Sequence, residues 1–372
     1  MRTTSYWLDE PAPPIPPRRI EGAADVAVVG GGVTGCAAAL ALAEAGVKVR
    51  LHEAREIAGG ASGRNGGFAL RGGAASYDVT IEMLGRDQAA RYWRMTEEAL
   101  ERLATLAGDA CRRTGSLRLA ADDEEREALA VEYEALRADG FVAEWVDEPT
   151  AGRFRAAIFH PADAALQPAR WVRRLALLAA EAGAEIREHD RVASVDDLDA
   201  GAVLVATDGY PSGLLGRLEG LIVPTRGQMI ATAPLEERLF ECPHYGRHGF
   251  DYWQQTPDGR ILAGGFRDSA LQDEFTAEEE LTPAIQGALE SFVAGLVGRP
   301  VEVEYRWAGI FGLVLDFLPA VGRVPGQDRL WVAGGYSGHG NVLGLMCGEL
   351  VAQAMLGREA PELAWFDPAR LL

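Results

Sequence analysis

Residues 26–53 constrain the fold more than any other part of the chain, reading VAVVGGGVTGCAAALALAEAGVKVRLHE. An apolar, β-branched run meets a glycine turn, an alanine-rich helix follows, and a second strand ends on an acid. This is the pattern of a βαβ unit that holds a dinucleotide. Gly30 permits the tight turn out of the first strand, Gly32 lets the backbone approach a pyrophosphate, and Gly35 lets the helix lie close on the sheet. Val33 and Thr34 open that helix, whose unpaired N–H groups and positive dipole end suit phosphate. Glu53 falls 23 positions after Gly30, near the roughly 20-residue offset of a carboxylate that accepts from a ribose hydroxyl. An acid there argues against a 2′-phosphate, and so against NADP.

The uncharged stretch 26–43 approaches the ~18 apolar residues of a membrane span, but Gly30, Gly31 and Gly32 interrupt it. The N-terminus carries Asp9, Glu10 and a proline-rich stretch, 11–17, with no apolar segment. The expectation is therefore no signal peptide, no membrane insertion and a cytoplasmic location.

A length of 372 residues, 48% of them hydrophobic, suits one large or two intimate domains. The net charge of −19 argues against nucleic acid, whose phosphates need a basic face. Cys36, Cys111, Cys242 and Cys347 form no CxxC pair, so no metal site and no disulfide framework is expected. Lys48 is the sole lysine, on the second strand of the nucleotide unit, which argues against Schiff-base chemistry.

Helical periodicity covers 87–107, 122–138, 170–183, 281–296 and 342–356. Strands are predicted at 185–187, 191–195, 202–206, 221–231, 250–255, 260–264, 301–307 and 330–333. Nucleotide-type βα segments thus lie at both ends and in the middle, with strand-rich segments between.

Two further glycine-rich strings are more specific than the first. They are Gly59-Gly60-Ala61-Ser62-Gly63-Arg64-Asn65-Gly66-Gly67 and Gly334-Gly335-Tyr336-Ser337-Gly338-His339-Gly340. Together with the first unit they resemble the FAD-dependent D-amino-acid-oxidase-like family, which includes glycine, sarcosine and γ-glutamylputrescine oxidases. The resemblance implies an α/β fold. A Rossmann-like FAD-binding domain, 1–85, 150–220 and 320–372, is interleaved with an α+β substrate domain, 86–149 and 221–319, on a mixed, mainly antiparallel sheet.

The same resemblance distributes roles. Glu53, Ala54 and Arg55 hold the adenosine, Val192 reads adenine through its backbone, and Thr207 approaches the cofactor a second time. Ala61, Ser62, Arg64, Asn65, Gly66 and Gly67 wrap the pyrophosphate and flavin edge. Gly335, Ser337, Gly338, His339, Gly340, Asn341 and Val342 aim backbone N–H groups at the pyrimidine end, where a helix N-terminus stabilises arriving negative charge. His339 is a catalytic base or, inside its glycine loop, a structural hydrogen-bonding group. His244 and His248 read as surface histidines.

Departures from the family point to a subclass. Phe311 stands where glycine-oxidase-like members carry a carboxylate-clamping arginine, and Val342 where sarcosine-oxidase-like members carry a lysine. The flavin-linking cysteine is missing between Gly309 and Pro319, so non-covalent FAD is expected. The pattern looks most like γ-glutamylputrescine oxidase. The implied activity is oxidation of a C–N bond of a small amine or amino acid, with hydride passing to flavin N5. Imine hydrolysis follows, and O2 or an electron carrier accepts the electrons. γ-Glutamylputrescine-like and iminodiacetate-like compounds are the favoured substrates. Tyr252 faces substrate or core, Arg71 and Arg226 are candidates for holding a substrate carboxylate, and Arg226 has the alternative role of bracing the domain interface. An FAD-dependent amino-acid dehydrogenase and an NAD-dependent dehydrogenase are the competing activities.

Overall fold

The computed structural model describes residues 2–372. Its first layer is a six-stranded sheet in the order Ala320–Arg323, Leu330–Gly334, Ala200–Val205, Ala24–Val29, Val49–His52, Glu185–Arg187. All neighbours are parallel except the edge strand Ala320–Arg323. The strands are short apolar runs because helices cover them. Helix Val33–Glu44 is buried along most of its circumference, so alanine rather than an amphipathic stripe fills it.

Helix Gly340–Met355 crosses that helix closely. Gly348 makes the approach possible: a Cβ there would sit 2.6 Å from the Thr34 carbonyl oxygen. The close crossing brings two helix N-termini to one place. Gly35 meets an analogous demand against the sheet, since a Cβ on it would collide with the Gly30 carbonyl oxygen.

The second layer is an eight-stranded sheet in the order Val303–Leu313, Val223–Thr232, Ile261–Gly265, Asp251–Gln255, His244–Gly246, Ser116–Ala120, Ala156–His160, Glu144–Asp147. One pair, His244–Gly246 with Ser116–Ala120, is parallel and the others are antiparallel. Strand Ala156–His160 belongs to this sheet, although it lies inside the 150–220 segment expected on the nucleotide side.

Two strand predictions differ from what forms. Residues 191–194 are irregular and lead into a short turn, Val195–Asp197. The last long strand runs to Leu313 rather than 307 because its register with Val223–Thr232 continues through Gly309 and Gly312. Long-range pairing there overrides the low strand preference of glycine. Among the described residues, no helix is long and apolar enough to cross a membrane.

Candidate active site

A cavity opens between the two layers. Gly32, Val33 and Thr34 from the first helix and Gly340, Asn341 and Val342 from the last line one wall. Neither helix has an acid in its first turn or a side-chain cap. The positive ends of two dipoles therefore face one space with their first amides uncommitted within the helices.

The loop 61–67 closes the same wall, with Ala61, Ser62, Arg64, Asn65 and Gly66 on the cavity. It is clamped from several sides. Val33 N–H donates to Ser62 Oγ at 3.1 Å. Trp7 Nε1 donates to the Asn65 carbonyl at 2.7 Å, and Trp307 Nε1 to the Arg64 carbonyl at 2.8 Å. Gln254 Nε2 donates to the Gly66 and Gly67 carbonyls at 2.6 and 2.9 Å, fixing the second sheet to this loop. Asn341 Nδ2 donates to the Phe68 carbonyl at 2.7 Å.

Asp208 holds three loops together. Its carboxylate accepts from Gly312 N–H at 2.9 Å and from Gly335 N–H at 2.7 Å. Burial raises its pKa, and four backbone amides offset part of that rise. The residue was missed in the sequence; its signal was the strand 200–205 running into Ala206-Thr207-Asp208-Gly209.

The other expected cofactor residues do not line this cavity. Gly30 (φ +114°) packs on Ala206, Thr207 flanks the wall residues Ala206 and Asp208, Gly35 lies in the first turn of helix Val33–Glu44, and Gly67 (φ +73°) and Gly335 (φ +78°) shape turns. Glu53 is half-buried and accepts from Gly31 N–H at 2.6 Å and Arg55 N–H at 2.7 Å. Ala54 is exposed. Arg55 pairs with Glu279 at 2.8 Å and stacks over Tyr210. Val192 packs against the apolar cluster under the first sheet.

His339 lines the cavity beside Tyr245, ring centroids 5.7 Å apart. Its Nδ1 is buried with no partner among the described residues. Burial lowers its pKa to about 4, and the Ser337 backbone offsets part of that, so the ring is neutral at pH 7.

Tyr252 faces the cavity from the second sheet, while Trp253 points the other way into an aromatic cluster. Burial pushes the Tyr252 phenol up to about 12. Gly264 leaves room for that ring, since a Cβ there would lie 2.5 Å from the phenol oxygen. Tyr245, Phe311 and Arg267 complete this wall.

The two expected carboxylate clamps lie elsewhere. Arg71 is held by Asp163 at 3.1 Å and Glu97 at 2.7 Å, with its side chain 2% exposed. Arg226 makes a two-pronged pair with buried Glu274 at 2.9 and 2.8 Å. Neither lines the cavity, and each has its donors spent on protein acceptors. His244 is not a surface histidine either: it is buried, stacked 4.8 Å from Trp253, and its pKa falls to about 4. His248 is exposed at the cavity mouth. No cluster of metal-binding type occurs among the described residues.

A glycine-lined wall bearing two helix N-termini without a cap from their own N-cap side chains, and an orphaned imidazole nitrogen, fits a dinucleotide cofactor with an anionic centre and a polar ring edge. Residues 25–354 match the DAO family, described as FAD dependent oxidoreductase. The chain belongs to that family. FAD is thus its cofactor, and NAD is set aside. Over 364 aligned positions it is 30% identical to γ-glutamylputrescine oxidoreductase of Escherichia coli K12, covering 90% of this chain and 84% of the relative. It is 28% identical to glycine oxidase of Bacillus licheniformis over 368 positions, 90% of this chain and 93% of that one. The crystal structure of glycine oxidase from Geobacillus kaustophilus superposes with a TM-score of 0.76 at 24% identity, covering 94% of this chain and 99% of that chain. At the level of this family, the chain is an FAD-dependent oxidoreductase acting on amines or amino acids.

Proposed function

We propose that this flavoenzyme oxidises the C–N bond of a small primary or secondary amine, of γ-glutamylputrescine-like or iminodiacetate-like type. One observation carries the reading: the cofactor wall, with two helix N-termini, faces a wall of Tyr252, Tyr245 and Phe311 across one cavity. When bound, FAD supplies the two-electron acceptor. The segments 1–85, 150–220 and 320–372 serve chiefly the cofactor, and 86–149 and 221–319 the substrate, with strand Ala156–His160 shared into the second sheet.

The chain's own groups have distinct duties. The first amides of helix Val33–Glu44 beyond Val33, whose N–H is on Ser62 Oγ, would hold the pyrophosphate, and Glu53 would take the ribose. The Ser337 and His339 amides are spent on the Gly312 and Tyr336 carbonyls, so the amides of Gly338, Gly340, Asn341 and Val342 are the ones that would offset negative charge at the pyrimidine edge of bound FAD. The phenol of Tyr252, protonated at neutral pH, orients the substrate. Aromatic walls exclude water while the amine loses two electrons and two protons to become an imine. Water then adds, and the carbon leaves as a carbonyl with release of an amine or ammonia. None of the four cysteines lines the cavity, which supports non-covalent FAD.

Lys48 is exposed on strand Val49–His52's leading edge, so no lysine serves O2 activation. The proposed acceptor is nonetheless O2, reduced with two protons to H2O2. Oxygen-electrode assays with the candidate amines, coupled to aldehyde detection, test this. Stoichiometric H2O2 and carbonyl are expected. Carbonyl formed only with an added electron carrier would replace oxidase by dehydrogenase.

A further inference from the structure

The substrate-facing wall carries a cation with no acidic partner. Arg267 begins the short turn Arg267–Ala270 and lines the cavity. Its recorded contacts are two aromatic faces: its Cζ lies 4.4 Å from the Phe250 centroid and 5.6 Å from that of Phe311. No hydrogen bond or ion pair of its guanidinium occurs among the described residues.

The acids nearby are committed to another arginine. Arg247 donates to both oxygens of Asp251 at 2.6 Å and pairs with Asp268 at 2.7 Å. The other charged groups on the wall are also satisfied. Arg64 donates to the Gly59 and Ala308 carbonyls at 2.9 and 3.1 Å, and Asp208 is held by backbone amides. The histidine at the back of the cavity, His339, is neutral.

The backbone is shaped to present this side chain. Gly265 has φ +127° and Phe266 φ +62°, and left-handed backbone at a non-glycine residue marks a place worth a functional reading. A Cβ at Gly265 would collide with the Phe250 carbonyl oxygen. The turn sends Phe266 against Phe292, centroids 5.3 Å apart, and leaves Arg267 over the cavity. Its charge reaches the phenols of both Tyr252 and Tyr245.

We propose that Arg267 anchors a carboxylate of the substrate. A planar guanidinium resting on aromatic faces keeps its forked N–H donors free for one carboxylate, held bidentately. The substrate is then an amine that also carries a carboxylate, not a plain polyamine. This deepens the C–N oxidation reading and rests on it only for the kinetic part of the test.

Two measurements on the holoenzyme and on Arg267→Gln and Arg267→Lys check the assignment. In the first, acetate is titrated against the visible flavin spectrum, with acetamide as the uncharged counterpart. Saturable perturbation by acetate alone is expected, weakened about 100-fold in Arg267→Gln and about tenfold in Arg267→Lys, which keeps charge but not the fork. In the second, iminodiacetate and its diamide are compared as substrates. The wild type should favour the acid about 100-fold in kcat/KM, and Arg267→Gln should erase that through KM with kcat little changed. An acetate response and an acid preference untouched by Arg267→Gln would overturn the assignment. A wild type blind to acetate would do the same. Loss of the acetate response in Arg267→Gln, with no amine oxidised by any form, would support the anchor while overturning the C–N reading.

Discussion

On the nucleotide side of the cavity, backbone meets backbone: Gly35 lies on the Gly30 carbonyl, Gly30 on Ala206, and Gly348 on Thr34. On the facing side, Tyr252, Tyr245, Phe311 and Arg267 reach the cavity as side chains from separate strands and turns. The first wall tolerates one residue type at each contact and is intolerant of any added atom. The second is a set of interchangeable projections on a rigid sheet, which is where a family changes substrate without changing fold.

That contrast predicts a hierarchy of damage. Gly35→Val should be the most severe, because the collision is with main chain. No folded protein should be recovered, as judged by soluble yield and circular dichroism. Gly32→Val comes next, since its Cβ would meet only the Ser62 hydroxyl at 2.8 Å. The chain should fold but lose FAD, with the dissociation constant up at least about 100-fold in apoprotein reconstitution. Retention of a full flavin spectrum would contradict the cofactor placement.

Arg226→Gln tests the other side of the comparison. It breaks a pair in which both side chains are nearly inaccessible, and should cost about 3–5 kcal/mol in denaturant unfolding. KM in the folded holoenzyme should stay within about twofold. Arg267→Gln should do the reverse, changing KM and leaving stability within about 0.5 kcal/mol.

The pH dependence has a definite sign. His244 and His339 have folded pKa values of about 4, below the ordinary ~6.5 of the unfolded chain. Between those values the unfolded state binds more protons, so stability falls as pH drops from 6.5 towards 4 and is fully present above 6.5. The slope is at most about 1.4 kcal/mol per pH unit for each histidine. Urea midpoints at pH 7 and pH 5 measure it, and His244→Leu should flatten the trend. The smallest stability change is expected from Tyr252→Phe, within about 0.5 kcal/mol, since its phenol makes no hydrogen bond among the described residues. Its kcat/KM should fall about tenfold if the phenol orients substrate.

What could be read in advance follows the same division. Gly30, Gly32, Gly35 and the two later glycine strings announce themselves because a local backbone requirement leaves one residue type. Tyr252 was legible from strand alternation. Arg71, and Arg226 in one of its two roles, read as free arginines because their partners, Asp163 and Glu274, are distant in sequence and only folding pairs them. Arg267 was invisible for the complementary reason. Its freedom depends on Arg247 taking Asp268, the acid next to it. The irregular 191–194 segment and the strand extension to Leu313 likewise depend on neighbours that sequence order does not display.

The central claim is that FAD seated between these walls takes two electrons from an amine. Anaerobic mixing of the purified yellow protein with γ-glutamylputrescine, iminodiacetate and N-methyl amino acids tests it most directly. Bleaching of the main visible flavin band by at least one of them, before any oxygen is admitted, is the predicted result. Fully bound FAD that no amine reduces would contradict it.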